Sequence, residues 1–195
     1  MTIPVYPCFP VFSAMRWLLA ALLFVSSGFL QAQDSAMRFE NAGTYLDNGV
    51  YYLDAFARLD LGEEPERALI NGVELHFLVE IVVQRRRRFW IDTPVLERRL
   101  RHTLHFYDLT RHYRVDNSQT GESQNFRSLS AALNFLGQIS RFALIESSKL
   151  KQSRQYNARI SVSLDSTRLP GPLAARAMVS RDWNLQSEEF QWSLN

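Results

Sequence analysis

The chain has 195 residues and a formal net charge of +2, with 46% hydrophobic and 22% charged residues. This length and composition predict one globular domain with its own core and exclude general disorder. The near balance of charge gives no global field that would favour a polyanionic partner. Cys8 is the one cysteine in the sequence, which excludes an intrachain disulfide and a cluster of thiolate metal ligands.

The N-terminal segment has the features of an export signal. Arg16 precedes the apolar run "WLLAALLFV", and small and polar residues follow the run. The run is shorter than the roughly 20 residues that a transmembrane helix needs. We therefore interpret residues 1–32 as a cleavable signal peptide and residues 33–195 as a single β-rich periplasmic domain.

Two alternatives concern the same segment. Residues 1–14 contain three prolines and no charged residue, which is unlike the start of a signal peptide and suggests that translation begins at Met15. An uncleaved inner-membrane anchor over Trp17 to Leu30 is the alternative to cleavage. In either case a protein outside the cytoplasm seldom meets nucleic acid, so we expect none as a partner.

Alternation of apolar and polar residues predicts the first strands. Residues 39–46 and 51–61 flank "DNG" at 47–49, a sequence typical of a hairpin turn because Asn and Gly tolerate positive φ. "EEPERALING", residues 63–72, has the acids, proline and glycine of a short helix. Every second residue from Val73 to Val83 is apolar, which predicts a long strand.

The second half of the chain contains further strands and one clear helix. Leu96 to Phe106 alternates and predicts an antiparallel partner for the preceding strand, whereas residues 128–137 have apolar positions at helical spacing. "FALIES" at 142–147 and the alternating run 156–164 predict two more strands. About seven strands and two short helices, mostly joined by hairpins, indicate an antiparallel β-sandwich.

A basic band from Gln84 to Arg114 holds nine arginines and three histidines against three acids. Its first part, "QRRRRFW", reads as the continuation of the long strand, with successive arginines on opposite sides. The candidate binding residues are Arg85, Arg86, Arg87, Arg88, Phe89 and Trp90. Anionic headgroups, a polyanionic glycan or an acidic protein face would suit this band. The alternative is a solvated strand edge on which arginines prevent edge-to-edge pairing.

No known catalytic or metal motif occurs in the sequence. His102 and His105 point to opposite faces of a strand, so the sequence predicts no metal site and no cofactor. Asp108, with Tyr107, His105 and His112 nearby, is the one polar cluster that could mark an active site. A hydrogen-bonding network is the other interpretation of this cluster.

Several segments together resemble a proteobacterial family of exported proteins, domain-of-unknown-function family 4390. The resemblance covers nearly all of the predicted mature chain. The segments that carry it are "ALINGVELHFLVEI", "RRRRFW", "YDLTRHYRV", "FRSLSAAL", "LPGPLAARA" and "DWNLQSEEFQW". The resemblance implies a location in the cell envelope and assigns no catalytic residue. Proteins of this family tend to be encoded near a membrane sensor kinase of the nitrogen-regulation type, so the resemblance also suggests a signalling accessory role.

From the sequence we therefore expect a non-enzymatic periplasmic binding or accessory module. Its partner would be an envelope protein such as a membrane sensor kinase, with contact to the membrane surface as a further expectation. The alternative is an envelope enzyme or lipid-handling protein with a cavity in the β-sandwich. A pocket lined by Asp108, His105 or His112 would favour that alternative.

Overall fold

The computed structural model describes residues 37–87 and 92–194. Within these ranges nine β-strands alternate with short helices. The strands are β1 (Met37–Asp47), β2 (Val50–Leu59), β3 (Leu75–Arg85), β4 (Thr93–Tyr107), β5 (His112–Asn117), β6 (Ser123–Phe126), β7 (Gln138–Glu146), β8 (Tyr156–Leu164) and β9 (Phe190–Leu194). The α-helices are α1 (Glu63–Ile70), α2 (Leu129–Gly137) and α3 (Gly171–Ala177), and single 3-10 turns lie at Ser147–Lys149, Ser166–Arg168 and Arg181–Trp183. The predicted signal peptide lies outside the described residues.

The strands form two antiparallel sheets that resemble an open sandwich. One sheet has three strands in the order β1-β2-β7, and the other has six in the order β6-β5-β4-β3-β8-β9. β1 packs against β8 and β9, and α2 packs against both β2 and β5, so each connects the two sheets. The predicted fold class, a mainly β antiparallel sandwich, is confirmed.

The hairpin between β1 and β2 forms where the sequence predicts it. Asp47 pairs with Val50, and the two residues between them, Asn48 and Gly49, have φ of 48° and 80°. Two successive positive φ values are the backbone of the tight turn that suits the twist of antiparallel strands. The turn sequence therefore fixes the register with which β1 meets β2.

β3 is the central strand of the larger sheet and contributes one continuous row to the core. It pairs with β4 on one side and with β8 on the other. The residues of the row have relative exposures between 0% and 3%: Leu75, Phe77, Val79, Ile81 and Val83. Because side chains alternate along a strand, the residues between them form the opposite, more polar face of the sheet.

Helix α2 lies so close to β2 that only glycine fits at its end. Ser128 caps the helix, since its hydroxyl accepts a hydrogen bond from the Ala131 N–H at 3.2 Å. A Cβ placed on Gly137 would lie 2.0 Å from the carbonyl oxygen of Ala57. The absence of a side chain therefore allows the backbones of the helix and the strand to make contact.

The structure adds elements that the sequence pattern did not predict. β6, β9 and α3 raise the number of strands and α-helices in the described residues to nine and three, against about seven and two. β6 and β9 have four and five residues, too few for an alternating pattern to stand out. No helix among the described residues is long and apolar enough to cross a lipid bilayer.

Replacing Gly137 by alanine should destabilise the fold strongly. The new methyl group would overlap the backbone of β2, and overpacking of this kind costs about 1–3 kcal/mol. We expect a Tm lower by roughly 2–12 °C in a thermal melt. Gly43→Ala is the matched control, because a Cβ there meets no atom within 4 Å and should leave the Tm nearly unchanged. Equal effects of the two substitutions would contradict the close contact.

Candidate functional site

The basic band begins where β3 ends. β3 ends at Arg85, which pairs with Tyr156, and neither Arg86 nor Arg87 belongs to a strand. The expectation that the arginine run continues the strand is therefore wrong beyond Arg85. After this residue the chain leaves the sheet. The Arg86 N–H bonds the Gln155 carbonyl, the Arg87 N–H bonds the Asp92 carboxylate, and both arginine side chains are exposed.

Asp92 accepts hydrogen bonds from two residues at and just beyond the end of β3. One oxygen of its carboxylate accepts from the Arg87 N–H at 2.9 Å, and the other accepts from the Gln84 side chain at 3.3 Å. These bonds connect the end of β3 with the start of β4. Arg88, Phe89 and Trp90 lie outside the described residues, so their role in binding stays a prediction.

The loop between β7 and β8 adds positive charge beside the band. The Arg86 N–H donates to the Gln155 carbonyl at 2.9 Å, which brings the exposed Lys151 and Arg154 close to the arginine run. The sequence pattern did not predict this contribution. The sequence does show that the basic segment "KLKQSR" directly precedes a predicted strand. It does not show that this strand, β8, pairs with β3 and so brings the segment next to the arginine run.

The arginines of β4 differ in their partners. Arg99 bonds Glu80 at 2.8 Å and Glu97 at 2.6 Å, so its charge is neutralised on the polar face of the sheet. Arg98 and Arg101 are exposed, and no carboxylate among the described residues forms an ion pair with either. The free positive charge of β4 is therefore concentrated on these two side chains.

The two histidines of β4 lie on opposite faces, as predicted. His102 pairs with Phe77 in the sheet and lies on the core side, where its Nδ1 has no hydrogen-bond partner. Burial lowers the pKa of the His102 imidazole. His105 lies on the polar face, where its two ring nitrogens are 3.5 Å from Glu74 and 3.0 Å from Asp116.

Glu74, His76, His105, Arg114 and Asp116 form a network on the polar face at the start of β3. Arg114 holds Asp116 at 2.6 Å, and Glu74 lies 3.9 Å from His76. Burial raises the pKa of the Asp116 carboxyl, but hydrogen bonds from Ser123 and Arg114 outweigh burial and hold that pKa below its usual range. Each side chain in the network contacts at least one other member, so the arrangement connects the ends of β3, β4 and β5.

Asp108 is not part of this network. It is exposed in the turn after β4, and the ring of His112 contacts the Thr110 carbonyl at 2.5 Å. The predicted polar cluster is therefore wrong for Asp108 and His112. His105 does lie in a hydrogen-bonding network, and the centroid of the Tyr107 ring is 6.3 Å from that of the His105 ring. Antiparallel pairing of β4 with β5 supplies the reason, because it brings Asp116 rather than Asp108 next to His105.

Two of the surface clefts in the described part of the chain have a glutamate in their lining. One, of about 280 Å³, lies between α1 and α3, where Glu64 accepts hydrogen bonds from Arg176 at 2.5 Å and from the buried Trp183 at 3.1 Å. The other, of about 300 Å³, lies beside His102 and Phe135. Neither is lined by Asp108, His105 or His112. In the described part of the chain, no three His, Cys, Asp or Glu side chains are arranged as metal ligands.

Comparison with known proteins identifies a family. A family model described as a domain of unknown function, DUF4390, matches residues 34–193. The match covers both sheets and all the described helices. No curated protein and no solved structure matches the chain.

We expect the stability of the protein to depend on pH through His102, whose buried Nδ1 has no hydrogen-bond partner. Because the pKa of His102 is lowered in the folded state, the unfolded chain binds more protons near pH 6, and stability rises with pH through that range. Urea unfolding at pH 7.5 and at pH 5.5 should show a loss at the lower pH that is smaller in His102→Phe than in the wild type. The difference attributable to this group is at most about 1.4 kcal/mol. An identical loss in both proteins would contradict the assignment.

Proposed function

Because the chain belongs to the DUF4390 family, which is described as a domain of unknown function, we propose a role from its own residues. It is an exported, non-enzymatic binding or accessory module of the proteobacterial cell envelope. The apolar run after Arg16 supports export to the periplasm by a cleavable signal peptide. An uncleaved inner-membrane anchor over that run is the alternative.

One observation carries the proposal: positive charge without internal partners is concentrated around the end of β3 and along β4. The exposed arginines concerned form no ion pair with any described residue, and they are Arg86, Arg87, Arg98 and Arg101. Lys151 and Arg154 enlarge the same surface. A cluster of this kind attracts an acidic partner and speeds its association. The partner is an acidic face of an envelope protein, and the family resemblance favours a membrane sensor kinase.

An envelope enzyme or lipid-handling protein with a cavity in the sandwich is less well supported. Such a protein needs space between its sheets for a ligand. The largest side chains of the core are almost completely buried, among them Leu53, Phe77 and Ile81 at 0–2% exposure. Buried residues of both sheets belong to one hydrophobic cluster, which supports a surface function over a cavity between the sheets.

Contact with the membrane surface is the second candidate, and exposed apolar residues favour it. Leu109 is 98% exposed, and Met178 and Val179 are 82% and 85% exposed. The turn after β4 and the segment after β8 both lie beyond the same end of the larger sheet, where β3 begins. Apolar side chains beside Arg111 and Arg181 suit insertion between anionic headgroups.

Charge reversal tests the first candidate. A photocrosslinking amino acid at position 90 should capture an envelope protein in living cells, and Arg86→Glu with Arg87→Glu should reduce the yield at least fivefold, because like charges then face the partner. Arg127→Glu is the matched control, since Arg127 is exposed just before α2, away from this surface. An unchanged yield in the double variant would exclude the basic surface as the contact.

Serine at positions 178 and 179 tests the second candidate. If these side chains enter the bilayer, the double substitution should lower cosedimentation with phosphatidylglycerol vesicles several-fold. The reason is that two apolar side chains would no longer be buried in the lipid. Replacement of Leu46 by serine is the control, because Leu46 is exposed in the hairpin between β1 and β2, which lies toward the other end of the larger sheet. Binding that is equal in all three proteins would rule out this surface.

A further inference from the structure

β4 is much longer than the strand that covers its outer edge. It has 15 residues and pairs with β3 over nearly its whole length, from Thr93 to Leu104. β5 pairs only with the part from His102 to Tyr107. No strand in the described ranges pairs with the outer side of the first part of β4.

The turn between β5 and β6 marks one end of this uncovered stretch. The Ser118 N–H donates to the Arg101 carbonyl at 3.0 Å, and the Gln119 side chain donates to the Arg99 carbonyl. Pro94, which has no N–H to offer, lies near the other end. We define Thr93 to Arg98 as the free edge.

The hydrogen bonds also show which backbone groups point outward. The carbonyls of Arg101 and Arg99 point away from β3, and the direction alternates from one residue to the next in an antiparallel strand. The N–H and C=O of Glu97 therefore point outward as well. Those of Leu96 and Arg98 point toward β3, where these residues pair with Val83 and Ile81. Glu97 therefore offers a donor and an acceptor near the Arg98 end of the free edge. A register shift between Val83 and Gln84 interrupts the alternation beyond Leu96.

The charge around the free edge selects the kind of partner. Arg98 and Arg101 are exposed and lack ion pairs among the described residues, whereas Arg99 is neutralised by Glu80 and Glu97. A second copy of the chain would bring its own arginines against these, which costs energy. Arg98 pairs with Ile81 and Arg101 pairs with Leu78, so the two side chains lie on opposite faces of the sheet. An extended segment with glutamate or aspartate at alternate positions, on the face of Arg98, would instead meet opposite charge there.

We propose that the free edge receives an extended acidic segment of the partner as an added β-strand. Main-chain hydrogen bonds to Glu97 provide affinity, and the arginine side chains provide selectivity for acids. The inference rests on the proposed function, because it names the mode by which the same basic surface binds.

A peptide and a proline substitution test the inference. The probe is a fluorescein-labelled peptide of alternating glutamate and threonine, with a peptide of alternating lysine and threonine as its control. Glu97→Pro removes the outward N–H and leaves the bonds to β3 in place, so the Kd of the acidic peptide should rise at least tenfold. Glu97→Ala is the matched control: it loses the same carboxylate but keeps the N–H, and its Kd should stay within threefold of the wild type.

A second arm avoids any effect of the substitution on folding. The same acidic peptide, N-methylated at every second residue along one edge, keeps its charges but cannot donate to the free edge of the unaltered protein. We expect at least a tenfold loss of affinity for the peptide methylated on the edge that faces β4. Methylation on the opposite edge should have little effect.

The outcomes separate the inference from the proposed function. If Arg98→Glu with Arg101→Glu abolishes binding while Glu97→Pro and N-methylation do not, charge recognition stands and strand addition is overturned. If neither set of changes affects binding, both the inference and the basic surface are overturned. Concentration-dependent dimers in sedimentation that disappear in Glu97→Pro would overturn the acidic occupant in favour of a second copy.

Discussion

The burial of one face of β3 determines how the rest of the chain is arranged. Every second side chain from Leu75 to Val83 is buried, and β4 and β8 flank this strand on either side. A register shift of one residue would turn this apolar row outward and bring His76 and Glu80 into the core. The alternation therefore fixes which side of the larger sheet is polar, and with it the face that carries the charged network around His105.

The polar face then divides into two regions with different electrostatics. Near the start of β3, His105 is surrounded by Glu74 and Asp116, and the charges of this region are paired. Beyond the end of β3, the exposed Arg86 and Arg87 form no ion pair with a described residue, so positive charge is in excess there. The pairing at one end stabilises the strands, while the excess at the other is available to a partner.

The free edge follows from a difference in strand length. β3 and β4 extend beyond the strand that covers β4, because the turn after Asn117 reverses the chain and its residues bond Arg99 and Arg101. The free edge therefore begins where the turn between β5 and β6 stops covering β4. The arginines next to it discourage pairing with the same strand of a second copy. The same arginines leave an oppositely charged strand free to bind.

Much of the fold could be predicted because its signals are local. The hairpin at Asn48, the cap at Ser128 and the alternation in β8 each depend on residues that are neighbours in the sequence. The order of strands could not be predicted, since β2 pairs with β7 and β3 pairs with β8 across long separations. For the same reason the contribution of Lys151 to the basic surface, and the role of Asp116 in place of Asp108, became apparent only from the sheet register.

The most direct test of the account is amide hydrogen exchange along β4, measured residue by residue. The free edge predicts an alternation: the Glu97 amide exchanges quickly, whereas the amides of Leu96 and Arg98, which face β3, exchange slowly. From Thr103 to His105 the alternation should disappear, because β5 covers that part of the edge. Protection of Glu97 equal to that of Arg98 in the isolated protein would contradict the account, since it would mean that the edge is already occupied.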